Sequence, residues 1–196
     1  MDYSHLKAVT INCTLKRDPA QSHTGLLLSV SEAIMRRQGV TVEAIHALSH
    51  SIAFGVQPDM TEHGGEKDDW PALWHKLEAA DILILGTPIW LGEESSVCRL
   101  IIERLYAMSA MLNGNGQSLF YGKVGGAVIT GNEDGIKHSA MTVLYALQHL
   151  GYTIPPQADC GWIGEAGPGA SYGDAGEDGP IGFGNDFTQR NTTIMT

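Results

Sequence analysis

Cysteine is scarce in this chain. Cys13, Cys98 and Cys160 are odd in number and far apart in 196 residues, which argues against a disulfide framework and for a reducing compartment, so a cytoplasmic location is expected. Long hydrophobic runs are missing as well: none approaches the roughly 20 residues of a membrane span. The opening Met1-Asp2-Tyr3-Ser4-His5 lacks the basic-then-apolar order of a signal peptide. Asn12-Cys13-Thr14 and Asn191-Thr192-Thr193 match the glycosylation sequon, but a cytosolic chain would never meet the enzyme. Positive charge is also in short supply, with 12 Lys and Arg against 22 Asp and Glu and a formal net charge of -10. Such a surface repels nucleic acid and anionic lipid, so neither is an expected partner. A phosphate-bearing ligand would need a local cluster of positive groups. Lys16, Arg17 and His23 supply one between the first strand and the first helix.

Several chemical motifs are absent too. No G-x-G-x-x-G follows the first strand, which argues against a dinucleotide-binding turn, and no G-x-x-x-x-G-K-[ST] marks a P-loop. The eight histidines have no H-E-x-x-H or Cys-x-x-Cys company, so no metal site is expected. No G-x-S-x-G elbow signals a hydrolase. A phospho-acceptor receiver would need an acid pair after strand one and an Asp ending strand three, where this chain has Asn12-Cys13-Thr14 and Thr87-Pro88.

What is present is a globular composition, 43% hydrophobic, enough for one sizeable core in a single domain over residues 1–196. Ile82-Leu83-Ile84-Leu85 reads as a strand buried on both faces of a parallel sheet. Val9, Ile11 and Cys13 mark a first strand and residues 40–48 a second. Val124-Gly125-Gly126-Ala127-Val128-Ile129 marks a fourth, and residues 152–154 begin a last one. Between them lie helical patterns: Leu27, Val30 and Ile34; Leu73, Leu77 and Ala80; Val97, Ile101, Leu105, Met108 and Leu112; Ile136, Ala140, Val143, Leu147 and Leu150. Ser22 or Thr24, Asp68 or Asp69, Ser95 or Ser96, and Asp134 are the expected caps. Trp70 and Trp74, one turn apart, read as core. This alternation predicts an α/β fold, a flavodoxin-like doubly wound parallel sheet of five strands in the order 2-1-3-4-5. Residues 46–69 form a long connection without periodicity. Nine glycines and two prolines between positions 161 and 184 exclude a regular element there, leaving a flexible tail or an irregular wrap over the site. No segment remains for a helix on the last strand, so the final helix is expected to be missing.

In an open α/β sheet, ligands sit beyond the carboxyl ends of the strands where strand order reverses. Three loops leave those ends. The first, residues 14–24, carries the hydroxyls of Thr14, Ser22 and Thr24 and leads into a helix N-terminus suited to a phosphate, although Ser22 and Thr24 as simple caps account for the same residues. The second, Thr87-Pro88-Ile89-Trp90-Leu91-Gly92, has a proline to fix its shape, a glycine to admit a flat ring, and Trp90 either to cover that ring or to pack in a core or interface. The third, Thr130-Gly131-Asn132-Glu133-Asp134-Gly135, offers glycines and amides to the opposite edge, or is a plain capped turn.

The second loop, with Ser95-Ser96 and a helix after it, resembles a flavin loop of the NADPH-dependent FMN reductase and flavodoxin-like NAD(P)H oxidoreductase family. The third resembles that family's other flavin loop. Gly161-Trp162-Ile163-Gly164-Glu165-Ala166-Gly167 and Asn191-Thr192-Thr193 are similar to one of its bacterial subgroups. The resemblance implies bound FMN, with NAD(P)H as reductant and a small-molecule electron acceptor. Thr14, Lys16, Ser22 and Thr24, with His23 beside them, would hold the phosphate. Pro88, Ile89, Trp90, Leu91 and Gly92, and Thr130, Gly131, Asn132, Glu133, Asp134 and Gly135, would line the ring system. A quinone, flavin or nitro compound would be reduced, or the protein would be an electron carrier without NAD(P)H turnover of its own. A homodimer is expected, and no acid–base side chain is required. A binding protein of this fold without catalysis is the third possibility.

Overall fold

The apolar run at residues 82–85 becomes the middle of a parallel sheet. A computed structural model describes residues 2–167, 169–174 and 183–196. Its strands are β1 (Lys7–Asn12), β2 (Thr41–His46), β3 (Ile82–Trp90), β4 (Glu93–Glu94), β5 (Val124–Gly131) and β6 (Asp159–Ile163). The sheet runs β2-β1-β3-β5-β6. The expected order, 2-1-3-4-5, differs from this by β4, a two-residue strand that stands off the parallel path. It pairs antiparallel with the end of β3, Ile89 opposite Glu94 and Trp90 opposite Glu93. The doubly wound, flavodoxin-like fold holds. Because β1, β3 and β5 are parallel and adjacent, their carboxyl ends and the three candidate loops share one edge.

Side chains alternate across the sheet with the two-residue period of a strand. Val9, Ile11, Leu83, Leu85, Ala127 and Ile129 face a core built with α2 (Trp70–Glu78), α3 (Ser96–Tyr106) and α4 (Ile136–Leu150). Ala8, Ile84, Val128, Cys160 and Trp162 join the opposite core, against α1 (His23–Arg37). A close approach sets the height of α1. Leu28 lies over Gly86, and a Cβ there would sit 2.4 Å from its Cδ1, so the site's central strand needs glycine at that position.

Several expectations change. The buried face of α1 is Thr24, Leu27, Leu28, Ser31, Glu32 and Met35, with Val30 and Ile34 only partly buried. Glu32 accepts a hydrogen bond from Thr10 Oγ1 at 2.7 Å and pairs with Arg36, which lets a carboxylate occupy a buried position. Leu112 lies past the end of α3 and is exposed. Asp134 does not cap α4; Gly135 holds that place, and Asp134 accepts only from its N–H. The last strand starts at Asp159 rather than at residue 152.

The final helix is present. α5 (Phe183–Met195) packs on β6 and α1. Among its described side chains, Thr188 is 1% exposed and Thr192 0%. Thr188 Oγ1 donates to Gly161 O at 3.1 Å, and Thr192 Oγ1 donates to Thr188 O at 2.7 Å. Buried hydroxyls at positions 188 and 192 give the sequence no apolar signal at those two places. Residues 161–163 also prove regular, as the end of β6. Pro168 and residues 175–182, part of the expected glycine-rich irregular segment, lie outside the described residues.

The connection 46–69 is held by one buried ion pair. Arg104 donates to Asp68 Oδ2 at 2.6 Å, and both side chains are fully buried. Arg104 also donates to Gly55 O and Pro58 O. Asp68 in turn accepts from the N–H groups of Ala53, Met60 and Trp70.

Candidate functional site

A cavity of about 520 Å³ opens at the carboxyl edge of β1, β3 and β5, within the usual range for small-molecule sites. One end is polar and cationic. Thr14, Lys16, His23, Thr24 and Thr130 line it. Lys16 Nζ donates to Gln21 O at 2.7 Å, leaving further N–H donors on the ammonium. Ser22 caps α1 by accepting from Gly25 N at 2.9 Å. The amides of His23 and Thr24, in the first turn, have no intrahelical acceptor. The hydroxyls of Thr24 and Thr130 lie 2.6 Å apart, joining the first loop to the third.

The rest of the described lining mixes apolar and polar groups. Pro88, Ile89 and Trp90 form one side and Gly131, Asn132 and Glu133 another. Trp90 is 55% exposed, so it stands at the cavity margin and is not a core residue. Glu133 Oε1 accepts from Leu91 N at 2.8 Å, fastening the third loop to the second. Leu91 has φ of 54° and is 93% exposed. Gly135, at φ +132°, abuts the backbone of Gly92, where a Cβ would come within 2.7 Å of the carbonyl oxygen. Ser95 ties the floor together: its hydroxyl donates to Cys13 O at 2.6 Å, and its N–H donates to Thr87 Oγ1 at 2.9 Å.

The third wall comes from the glycine-rich segment. Trp162, Ala166, Gly167, Gly169, Ser171 and Tyr172 all face the cavity, and the rings of Trp162 and Tyr172 meet edge to face at 6.0 Å. Asn132 holds this wall: its amide donates to Gly169 O at 3.1 Å and Ala170 O at 2.9 Å, and its oxygen accepts from Ser171 Oγ at 3.1 Å.

A family model described as NADPH-dependent FMN reductase matches residues 6–161. The chain belongs to this family. It is 38% identical over 172 residues to the 8-demethyl-8-aminoriboflavin-5'-phosphate synthase of Streptomyces davaonensis, covering 85% of this chain and 67% of that protein. A crystal structure of RosB with the bound intermediate 8-demethyl-8-formylriboflavin-5'-phosphate superposes with a TM-score of 0.85 at 35% identity, covering 97% of this chain and 75% of that one. The chain is also 60% identical over 194 residues to the divalent metal cation transporter MntH of Mycobacterium bovis; the match covers 99% of this chain but only 28% of that protein. Among the described residues no helix is long and apolar enough to cross a membrane, and no group of three or more His, Cys, Asp or Glu is placed to hold a metal ion.

The donor set suits the flavin mononucleotide in the FMN reductase family's name. An ammonium, three threonine hydroxyls and free helix amides gather in one cavity with the apolar groups of Pro88, Ile89, Trp90 and Trp162. Of the sequence-predicted residues, Thr14, Lys16, His23, Thr24, Pro88, Ile89, Trp90, Thr130, Gly131, Asn132 and Glu133 line the cavity. Thr130 belongs to its polar end. Ser22, Leu91, Gly92, Asp134 and Gly135 do not line it. Ser22 is a cap whose hydroxyl is engaged by Asn12 and Gly25; Leu91 joins the loops only through its N–H to Glu133, Gly92 and Gly135 meet backbone to backbone, and Asp134 is exposed. The connection 46–69 contributes nothing to this wall. Leu15, Trp162, Ala166, Gly167, Gly169, Ser171 and Tyr172 are the additions. Two aromatics ten residues apart in a glycine-rich stretch were the available signal for the last wall, and the wrap is the alternative realised there.

Proposed function

We propose that the chain binds FMN and acts as an NAD(P)H-dependent oxidoreductase, passing electrons to a quinone, flavin, nitro compound or similar small acceptor. The observation that carries this reading is one cavity that gathers Lys16 and the hydroxyls of Thr14, Thr24 and Thr130 with the apolar groups of Pro88, Ile89, Trp90 and Trp162. When bound, FMN would supply the hydride acceptance and electron release. Lys16 and the first amides of α1 would neutralise the phosphate. The Glu133–Leu91 hydrogen bond would set the separation of the two ring-binding loops. Trp162 and Tyr172 would keep water from the inner side, leaving the margin near Trp90 for nicotinamide and acceptor. Cytoplasmic location and homodimeric assembly belong to the same proposal.

Anaerobic addition of NADPH or NADH to the FMN-loaded protein tests it. Loss of the oxidised-flavin absorbance with either reductant is the expected result. A flavin that binds but stays oxidised with both would instead mark a flavodoxin-like electron carrier.

A second reading has specific support. The relatives at 38% and 35% identity carry names concerned with altered riboflavin phosphates, so the flavin in this cavity would be substrate rather than cofactor. Mass spectrometry of flavin recovered after incubation with candidate amine donors separates the two: an unchanged FMN mass supports the reductase, a changed ring substituent the flavin-modifying enzyme.

A further inference from the structure

His23 is the first residue of α1 and stands where the phosphate end of the cavity meets the glycine-rich wall. Its ring faces two acceptors on that wall. Nδ1 lies 2.5 Å from Tyr172 O, and Nε2 lies 3.7 Å from Asp174 Oδ2. A neutral imidazole with its proton on Nδ1 donates to Tyr172 O and offers no charge to Asp174; an imidazolium keeps that bond and attracts the carboxylate as well. Among the described residues, Asp174 of the wall faces the ring, and Lys16 of the first loop lines the same cavity. Glu133 and the Tyr172 phenol, the other ionisable groups in the described lining, belong to the third loop and the wall.

We infer that His23 is a proton-linked latch that makes the site selective for a phosphorylated flavin. The inference rests on the flavin reading of this cavity. A phosphate seated on the N-terminus of α1 places negative charge beside the ring and favours its protonated form. The protonated ring then grips Tyr172 O and Asp174, drawing residues 169–174 against α1. Binding a flavin phosphate would therefore take up a proton, whereas binding riboflavin, which has no phosphate, would not. The sign follows from linkage: a ligand whose binding takes up a proton loses affinity as pH rises. Histidine is the side chain that titrates in the neutral range where this would be seen.

The test measures dissociation constants for FMN and for riboflavin from pH 6 to pH 8.5, by quenching of flavin fluorescence, in the wild-type chain and in His23→Gln. Glutamine keeps a donor for Tyr172 O but does not titrate. The second ionisation of the phosphate, near pH 6, works in the opposite sense, and His23→Gln supplies that baseline. The ratio of wild-type to His23→Gln affinity for FMN is expected to fall about tenfold across the range, and the same ratio for riboflavin to stay flat. Asp174→Asn, at an exposed position, is expected to move the fall to lower pH. Calorimetry in buffers of different ionisation enthalpy should show proton uptake with FMN alone. FMN binding with a flat ratio, or an equal slope for riboflavin, overturns the latch and leaves the flavin site standing. No FMN binding at any pH overturns both.

Discussion

Asn132 turns its N–H donors toward the carbonyls of Gly169 and Ala170 and its oxygen toward the Ser171 hydroxyl. A wall rich in glycine has few side chains to pack, so its position depends on such bonds. Asn132→Asp keeps the shape but removes both donors and sets a carboxylate against two carbonyl oxygens. FMN affinity should fall by at least roughly tenfold, the equivalent of one to two hydrogen bonds, with only a small loss of thermal stability. Titration of flavin fluorescence beside a melting curve checks both parts. Ser22→Asp is a complementary change. Aspartate is as good a cap as serine, so α1 should persist while a new negative charge sits beside the phosphate end, and FMN binding should weaken about tenfold. Unchanged affinity would place the phosphate elsewhere. At this scale the sequence was informative about type but not about task. Ser22 and Thr24 are equivalent as hydroxyls in a loop; contact with Asn12 and Gly25 in one case, and with Thr130 in the other, separates a cap from a wall residue.

Among the elements, α5 illustrates a helix that pattern reading misses. Its inward threonines satisfy their hydroxyls on Thr188 O and Gly161 O, so polar residues are buried at little cost. Beneath it, burial raises the Cys160 thiol from 9.0 to about 11, partly offset by Thr192. Between about pH 9 and pH 11 the unfolded chain gives up this proton and the folded chain keeps it, so stability must fall as pH rises. Denaturant melts from pH 8 to pH 11 should show that decline, amounting to a few kcal/mol. Cys160→Ala should lessen its slope. It should not abolish it, because burial also raises Cys13, Tyr152 and Tyr172. The connection 46–69 depends on a different device. Arg104→Leu would leave the buried Asp68 carboxylate without its counter-charge, costing about 3 kcal/mol. That corresponds to a melting temperature roughly 6–12 °C lower. FMN affinity should hardly change, since this connection is absent from the cavity wall; a large loss of affinity would mean that it shapes the site after all.

For the molecule as a whole, the conspicuous surface lies away from the flavin cavity. Tyr106, Met141 and Tyr145 are exposed along a groove of about 600 Å³ between α3 and α4, which Arg99 and Glu103 also line. If the proposed homodimer uses this face, Tyr145→Glu with Met141→Lys should yield a folded monomer by light scattering; a dimer that survives the double change uses another surface. Strand–helix alternation, the central position of residues 82–85 and the use of three strand tips were legible because a two-residue period, helical spacing and turn residues are properties of short stretches of chain. Family resemblance to FMN reductases was legible for the same reason, in loops a few residues long. The glycine-rich wall, the buried threonine helix, the pairing of Asp68 with Arg104 across 36 positions, and the choice between cap and ligand residue were decided by tertiary structure alone. In each, a polar or glycine-rich stretch carries no signal of its own, and its role is set by partners that only folding brings within hydrogen-bonding reach.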